Sequence, residues 1–368
     1  MQKLISKTLI LISVILLLSM IISSCKYLPL PEDVIRPPLG EGNSTRKVDA
    51  DIFIPKGMVA YTAANSGGRY RTKATDIEND GIEEVVVFYG VLKEYSCRGL
   101  LIIQEDENWK LYHEQSYVEN DRYAIENADF ADISGNGRKE MIIELSTYNN
   151  ARMFQIIKFD SEVEKMYMFG ADRLDIIRNE DSLPMLAVWN YKAGGGFNID
   201  IIRWEDDGFV NATYDAPGFF LKLIPGYEKE ESTDGSETIY LADTLLKAGD
   251  YKNSLLKIQK NPKENLSNEQ KLKISVIEAR CLFYLGRAEE ALSALSAAEL
   301  VLGYDADLLF EAFILMADIL ISEGNIEGAK KVLESSEKLL YNYLKTDYKF
   351  HLWQNEYETR LEKLKDLN

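Results

Sequence analysis

The chain has 368 residues, with 60 acidic against 42 basic side chains and a formal net charge of −18. Apolar residues make up 46% of it, enough for packed cores, which excludes a chain disordered throughout. So acidic a surface repels phosphates and anionic headgroups, which argues against nucleic acid as a partner and suits cation binding or plain solubility.

At the N-terminus Lys3 and Lys7 precede an apolar stretch from Leu9 to Ile22, interrupted by Ser13 and Ser19. A positive start, a short apolar middle and small residues before a cut site make a secretory signal. The stretch is shorter than the roughly 20 residues a spanning helix needs, so an uncleaved anchor is the weaker alternative. The Ile22-Ser23-Ser24-Cys25 ending resembles the lipobox of bacterial lipoproteins. That resemblance implies a signal over residues 1–24, cleavage after Ser24, and diacylglycerol on the Cys25 thiol. The mature chain would then be held on the extracytoplasmic side of the cell membrane by its lipid. Residues 25–50 contain Pro29, Pro31, Pro37, Pro38, Gly40 and Gly42, a composition that favours an extended tether.

Residues 51–230 read as a β domain. Short apolar runs recur, among them Glu84-Val85-Val86-Val87-Phe88-Tyr89, Gly99-Leu100-Leu101-Ile102-Ile103, Met141-Ile142-Ile143 and Leu186-Ala187-Val188-Trp189. Clusters of Gly, Asn and Asp separate them, the pattern of strands joined by hairpins. The β signal extends to about Tyr227. The glycine-rich Tyr191–Phe197 segment lacks the context of a phosphate loop and is expected to be a hairpin tip.

Two segments of this half repeat a pattern. One runs from Asp76 through Glu78, Asp80 and Gly81 to Glu84; the other runs from Asp132 through Ser134, Asn136 and Gly137 to Glu140. Each has oxygen-bearing side chains at positions one, three, five and nine and glycine at six. Alternate side chains in a tight loop can converge on a hard cation, and glycine permits the turn. The acid falls at nine rather than at twelve as in an EF-hand, and a strand follows instead of a helix. The competing reading is a structural turn without metal.

These segments resemble the FG-GAP or VCBS-type repeat, the blade unit of integrin-like β-propellers. The resemblance implies a Ca²⁺ loop between blade strands, with Asp76, Glu78, Asp80 and Glu84 as ligands in the first copy. It implies Asp132, Ser134, Asn136 and Glu140 in the second, which is poorer in charge. A third copy at Asp181–Val188 has lost the ligands. About three units are too few for a usual closed propeller. Either a degenerate blade hides near Phe53–Thr75 or the domain is a partial, open relative.

From residue 236 to 368 the hydrophobic period becomes helical. Gly249, Gly286 and Gly324 fall where one helix should stop and the next begin. Ala242, Ala279 and Ala317 precede these glycines by seven residues, and Ser254, Ala291 and Ala329 follow them by five. This register resembles the tetratricopeptide repeat. The resemblance implies a helical array that holds a protein or peptide partner. The expected fold class is therefore multidomain β + α, a partial propeller-like antiparallel domain followed by a tetratricopeptide-like array.

Chemistry has few candidates. Only His113 and His351 are present, so a histidine-based zinc site or a Ser-His-Asp triad is hard to assemble. Cys97 and Cys281 fall in different predicted domains. Acid pairs such as Glu83-Glu84 and Asp206-Asp207 arise by chance among so many acids. The expectation is a non-enzymatic membrane-anchored scaffold or adaptor. A glycan-binding or adhesion module is the first rival, and an envelope hydrolase the second.

Overall fold

The structure, a computed structural model, describes residues 52–61, 73–91, 96–105, 109–117, 123–147, 151–159, 165–179, 182–192, 196–205, 208–227, 236–260, 266–296, 305–341 and 349–367. Cys25, the signal and the tether lie outside these residues, as do Asp181 and the Asp206-Asp207 pair.

Three antiparallel sheets fill the N-terminal half. The first contains β1 (Val59–Ala60), β2 (Lys73–Thr75), β3 (Glu84–Val91), β4 (Ser96–Glu105) and β5 (Trp109–Ser116). Both β1 and β2 pair with β3, so the Phe53–Thr75 region adds strands to this sheet and forms none of its own among the described residues. The second contains β6 (Tyr123–Ala131), β7 (Glu140–Thr147), β8 (Arg152–Lys158) and β9 (Lys165–Gly170). The third contains β10 (Arg173–Asn179), β11 (Ser182–Lys192), β12 (Gly196–Glu205) and β13 (Gly208–Asn211). β11 and β12 stay paired out to Lys192 opposite Gly196, which places the glycine run at a hairpin end.

Continuous apolar runs in an antiparallel sheet require cover on both faces. On β3 and β4, Val86, Phe88, Leu100 and Ile102 pack with Ile125, Met141 and Ile143 of the second sheet. Val85, Val87, Leu101 and Ile103 point the other way, under Phe53, Ile54 and Met58. The second sheet turns Ile142, Phe154 and Ile156 toward Leu186, Val188, Ile202 and Trp204 of the third. The sheets thus stack face to face in a row. The far face of the third sheet is covered by a helix, α1 (Pro217–Tyr227), through Phe220 and Leu223.

That helix lies where the β signal was expected to continue. Phe219 to Ile224 is apolar but for Lys222 and short enough to serve either period, and Pro217 at the first helical position favours the helix.

Seven further helices follow: α2 (Ser236–Lys247), α3 (Tyr251–Lys260), α4 (Asn268–Tyr284), α5 (Ala288–Ser296), α6 (Ala306–Ser322), α7 (Ile326–Leu339) and α8 (Phe350–Asp366). α2 to α7 form three hairpins with one recurring turn. Gly249, Gly286 and Gly324 have φ of +82°, +75° and +73°. At each, the glycine N–H returns to the carbonyl three residues back (Leu246, Phe283, Ile321). The next N–H reaches five back, to Leu245, Leu282 and Leu320. This pair of bonds satisfies the last carbonyls of the first helix and stops it. Ala242, Ser254, Ala279, Ala291, Ala317 and Ala329 are all 0% exposed, so the small residues sit where the helices approach. No helix among the described residues is long and apolar enough to cross a membrane.

Candidate functional site

The two nine-residue loops fold alike. At position one, Asp76 accepts the N–H groups of Asp80 (3.1 Å) and Gly81 (2.9 Å), and Asp132 accepts that of Gly137 (3.0 Å). At position five, Asp80 and Asn136 each accept the N–H two residues on, at 2.8 Å. At position nine, Glu84 is 0% and Glu140 1% exposed. Glu84 accepts Ile77 N–H at 2.7 Å and the Gln104 amide at 3.0 Å. Glu140 accepts Ile133 N–H at 2.6 Å, Ser134 N–H at 3.2 Å and the Ser134 hydroxyl at 2.6 Å. Ile77 and Ile133, at position two, are 0% exposed and anchor each loop in the core.

The four proposed ligands of the first loop do not share one centre. Glu78 turns outward to accept the Tyr112 hydroxyl (2.7 Å) and to pair with Arg138 (3.3 Å), while Glu84 turns into the backbone. In the second loop Asp132 differs: its Oδ1 is buried with no hydrogen-bond partner, the one loop oxygen so placed among the described residues. The described residues include no cluster of three or more His, Cys, Asp or Glu side chains with metal-ligand convergence. Burial raises Glu84 above the ordinary carboxylate range, against the lowering effect of the Ile77 N–H.

The loops also join sheets. Lys139 N–H reaches the Ile77 carbonyl at 2.8 Å and its ammonium reaches Thr75 at 3.1 Å. Gly135, at φ +71°, faces Leu183 so closely that a Cβ there would lie 2.3 Å from a Leu183 methyl. Only glycine tolerates both the backbone angle and the contact.

A second group of residues comes together that the sequence motifs did not single out. α2 contributes Asp243 and Lys247, α4 Lys273 and Arg280, α6 Asp307, Glu311 and Asp318, and α8 Arg360 with Lys349 just before it. Within each helix the spacings are four, seven or eleven, which places them on one stripe. Lys247 and Lys273 hold Asp243 at 2.9 and 3.3 Å; Arg280 holds Glu311 at 3.2 Å; Arg360 holds Asp318 at 2.9 Å. Burial raises Asp243, but the two lysines outweigh it and bring the carboxyl down to about 2.

The β half closes onto this stripe. Lys349 bridges Asp200 of β12, at 2.8 Å, and Asp307 of α6. Trp353 also donates to Asp307. Lys247 donates to the Ile199 carbonyl at 2.9 Å. Tyr214, in the short 3-10 turn Thr213–Asp215, lies under the Arg280 guanidinium at 4.8 Å. Leu352 of α8 packs with Leu186, Trp204 and Phe209. Residues 48–368 accordingly form one compact unit. Charged residues at helical spacing on the first helix of each hairpin were the available sequence signal, but nothing in the sequence said that a β strand would meet them.

No protein-family model matches the chain.

Proposed function

We propose that the protein is a lipid-anchored extracytoplasmic scaffold that binds a protein or peptide and does no chemistry of its own. Blade-like sheets of the FG-GAP or VCBS type and tetratricopeptide-like hairpins belong to this reading. The observation that carries it is how these buried and part-buried charges are spent. Asp200, Asp243, Asp307, Glu311 and Asp318 are each matched by Lys or Arg, and Glu84 and Glu140 by backbone donors. Such pairing fixes shape, whereas a general acid or base must keep a proton free to exchange with substrate. Among the strand residues whose side chains are described, Tyr191 is the one aromatic in the exposed class, which gives a glycan platform little to stack on.

Calcium enters this proposal in a narrower form. The second loop offers a cation one oxygen that is already free of donors, Asp132 Oδ1, with Ser134 and Asn136 beside it in sequence, while Glu140 would have to leave its donors. In the first loop Glu78 and Glu84 would have to leave existing donors. Titration calorimetry of wild type and Asp132→Asn decides this: heat at millimolar calcium that the substitution abolishes supports the site, and its persistence removes it.

The anchor is tested by labelling cells with radioactive palmitate, which Cys25→Ala should abolish. The scaffold reading is tested by co-purification of the full chain from detergent-solubilised membranes, followed by reconstitution of the captured protein with purified chain. A stoichiometric complex supports the scaffold. Retention by an envelope glycan, or its hydrolysis, overturns it.

A further inference from the structure

On the other side of the first hairpin lies a cleft of about 400 Å³ between α1 and the α2–α3 pair. Its apolar lining comes from Ile224, Leu245 and Leu256, and its rim includes Lys257 and Lys260. On α3, Asn253, Leu256, Lys257 and Lys260 follow the i, i+3, i+4, i+7 spacing of one helix face. The opposite face carries Leu255 and Ile258 into the helical core. On α1, Phe220 and Leu223 serve the third sheet, which leaves Leu221 and Ile224 on the other side. Leu221 is 54% and Leu256 50% exposed, and neither they nor Ile224 join an apolar core of the described residues, while Leu245 is buried at the cleft floor.

The charge here runs against the rest of the chain. α3 contains Lys252, Lys257 and Lys260 and no acid, and α1 adds Lys222. One acid, Asp250, also lines the cleft and accepts the Asn253 amide at 2.7 Å, so two lysines face one carboxylate. Among the described lining residues, Lys257 and Lys260 thus outnumber Asp250 around an apolar floor, in a chain of net charge −18. Lysines at the end of α3 also complement its helix dipole, but that does not account for an exposed leucine between them. The concave shape selects the class of partner. A lipid surface would meet a convex, uniformly basic face, whereas a cleft of this volume accepts a side chain with its flanks.

We propose that this cleft docks a short peptide segment bearing an apolar side chain flanked by carboxylates. The proposal rests on the scaffold reading and names where and what the scaffold holds. The apolar side chain enters between Ile224, Leu245 and Leu256, and the carboxylates meet Lys257 and Lys260. Complementary charge of this kind sets specificity and association rate more than affinity.

The test uses the full chain in phosphatidylcholine nanodiscs and two fluorescein-labelled synthetic peptides of alternating sequence, leucine with glutamate and leucine with lysine. Anisotropy should show saturable binding of the glutamate peptide and none of the lysine peptide. Lys257→Glu with Lys260→Glu should weaken binding by at least about tenfold, and Leu256→Ser by a similar factor, about 1.4 kcal/mol. All three positions are partly or fully exposed, so melting temperatures should not move, and circular dichroism checks this. No saturable binding at millimolar glutamate peptide, or binding indifferent to the substitutions, overturns the proposal. So does lysine-dependent flotation with phosphatidylglycerol vesicles, which would assign the rim to a membrane. So does a dimer in sedimentation that Leu256→Ser dissolves. A reconstituted partner still held by the Lys257→Glu, Lys260→Glu variant sinks the cleft and leaves the scaffold standing; no partner with wild type sinks the scaffold.

Discussion

The two halves of the molecule stabilise buried and part-buried carboxylates in opposite ways. In the β half, Glu84 and Glu140 are held by N–H donors six or seven residues away, within their own loops. In the helical half, Asp243, Glu311 and Asp318 are held by lysines and arginines, several of them tens of residues distant. The first arrangement is built by local turn chemistry and survives as long as the loop does. The second exists only when α2, α4, α6 and α8 are side by side. Local pairing fixes a loop; long-range pairing fixes the relation of one layer to another.

The sharpest way to break the contrast is at Lys349. Lys349→Met leaves Asp200 and Asp307, both part-buried, without their shared cation, at a cost approaching the ~3–5 kcal/mol of a fully buried pair. Urea unfolding should show a large fall in midpoint, and adding Asp307→Asn should recover part of it. An unchanged midpoint would mean that the sheets and helices are joined by apolar contact alone.

Next come the loop acids. Glu140→Ala strips the acceptor from Ile133 N–H, Ser134 N–H and the Ser134 hydroxyl, and should destabilise by about 2–4 kcal/mol. Glu84→Ala strips one backbone donor and the Gln104 amide, and should destabilise by about 1–3 kcal/mol. The reverse ranking in urea would show that the two loops are not held by the same bonds.

Acid separates Asp243 of the helical half from Glu84 of the β half by sign. Asp243 lies at about 2 in the folded chain against an ordinary 3.8. Its contribution, on the order of 2 kcal/mol, is present above pH 4 and lost as pH falls toward 2. Glu84 is raised by burial, so its contribution is present below its ordinary value and lost as pH rises through the folded one. Between pH 5 and pH 3, hydrogen exchange corrected for its intrinsic rate should speed up in α2 and not around Ile77. Faster exchange at both would contradict the opposed signs.

The smallest effect belongs to an exposed pair. Arg287 and Glu290 meet at 2.6 Å, yet their side chains are 44% and 59% exposed. Glu290→Gln should leave the urea midpoint where it is, because water screens such a pair. A clear loss there would mean that proximity rather than burial governs the helical charges.

Much of this architecture is legible in the residues themselves. The glycine turns at 249, 286 and 324 declared themselves because only a few side chains accept positive φ, and the small residues around them follow from close helix approach. The Asp76–Glu84 and Asp132–Glu140 repeat was visible because a tight turn needs particular residues at fixed steps. What those oxygens bind was not legible: an aspartate that could ligate a cation can equally accept a backbone N–H, and Glu78 found Tyr112 and Arg138 from other strands and loops.

The sequence by itself determined short apolar strands, a helical second half and where its glycine turns fall, since these depend on periodicity and local backbone preference. Tertiary structure completed what Pro217 favours locally over Pro217–Tyr227, because the open face of the third sheet is covered by Phe220 of that helix. It also decided that Asp200 would meet Lys349 across 149 positions of chain. A charge carries no address in the sequence; its partner is whichever opposite charge the packed layers bring within reach and shield from water.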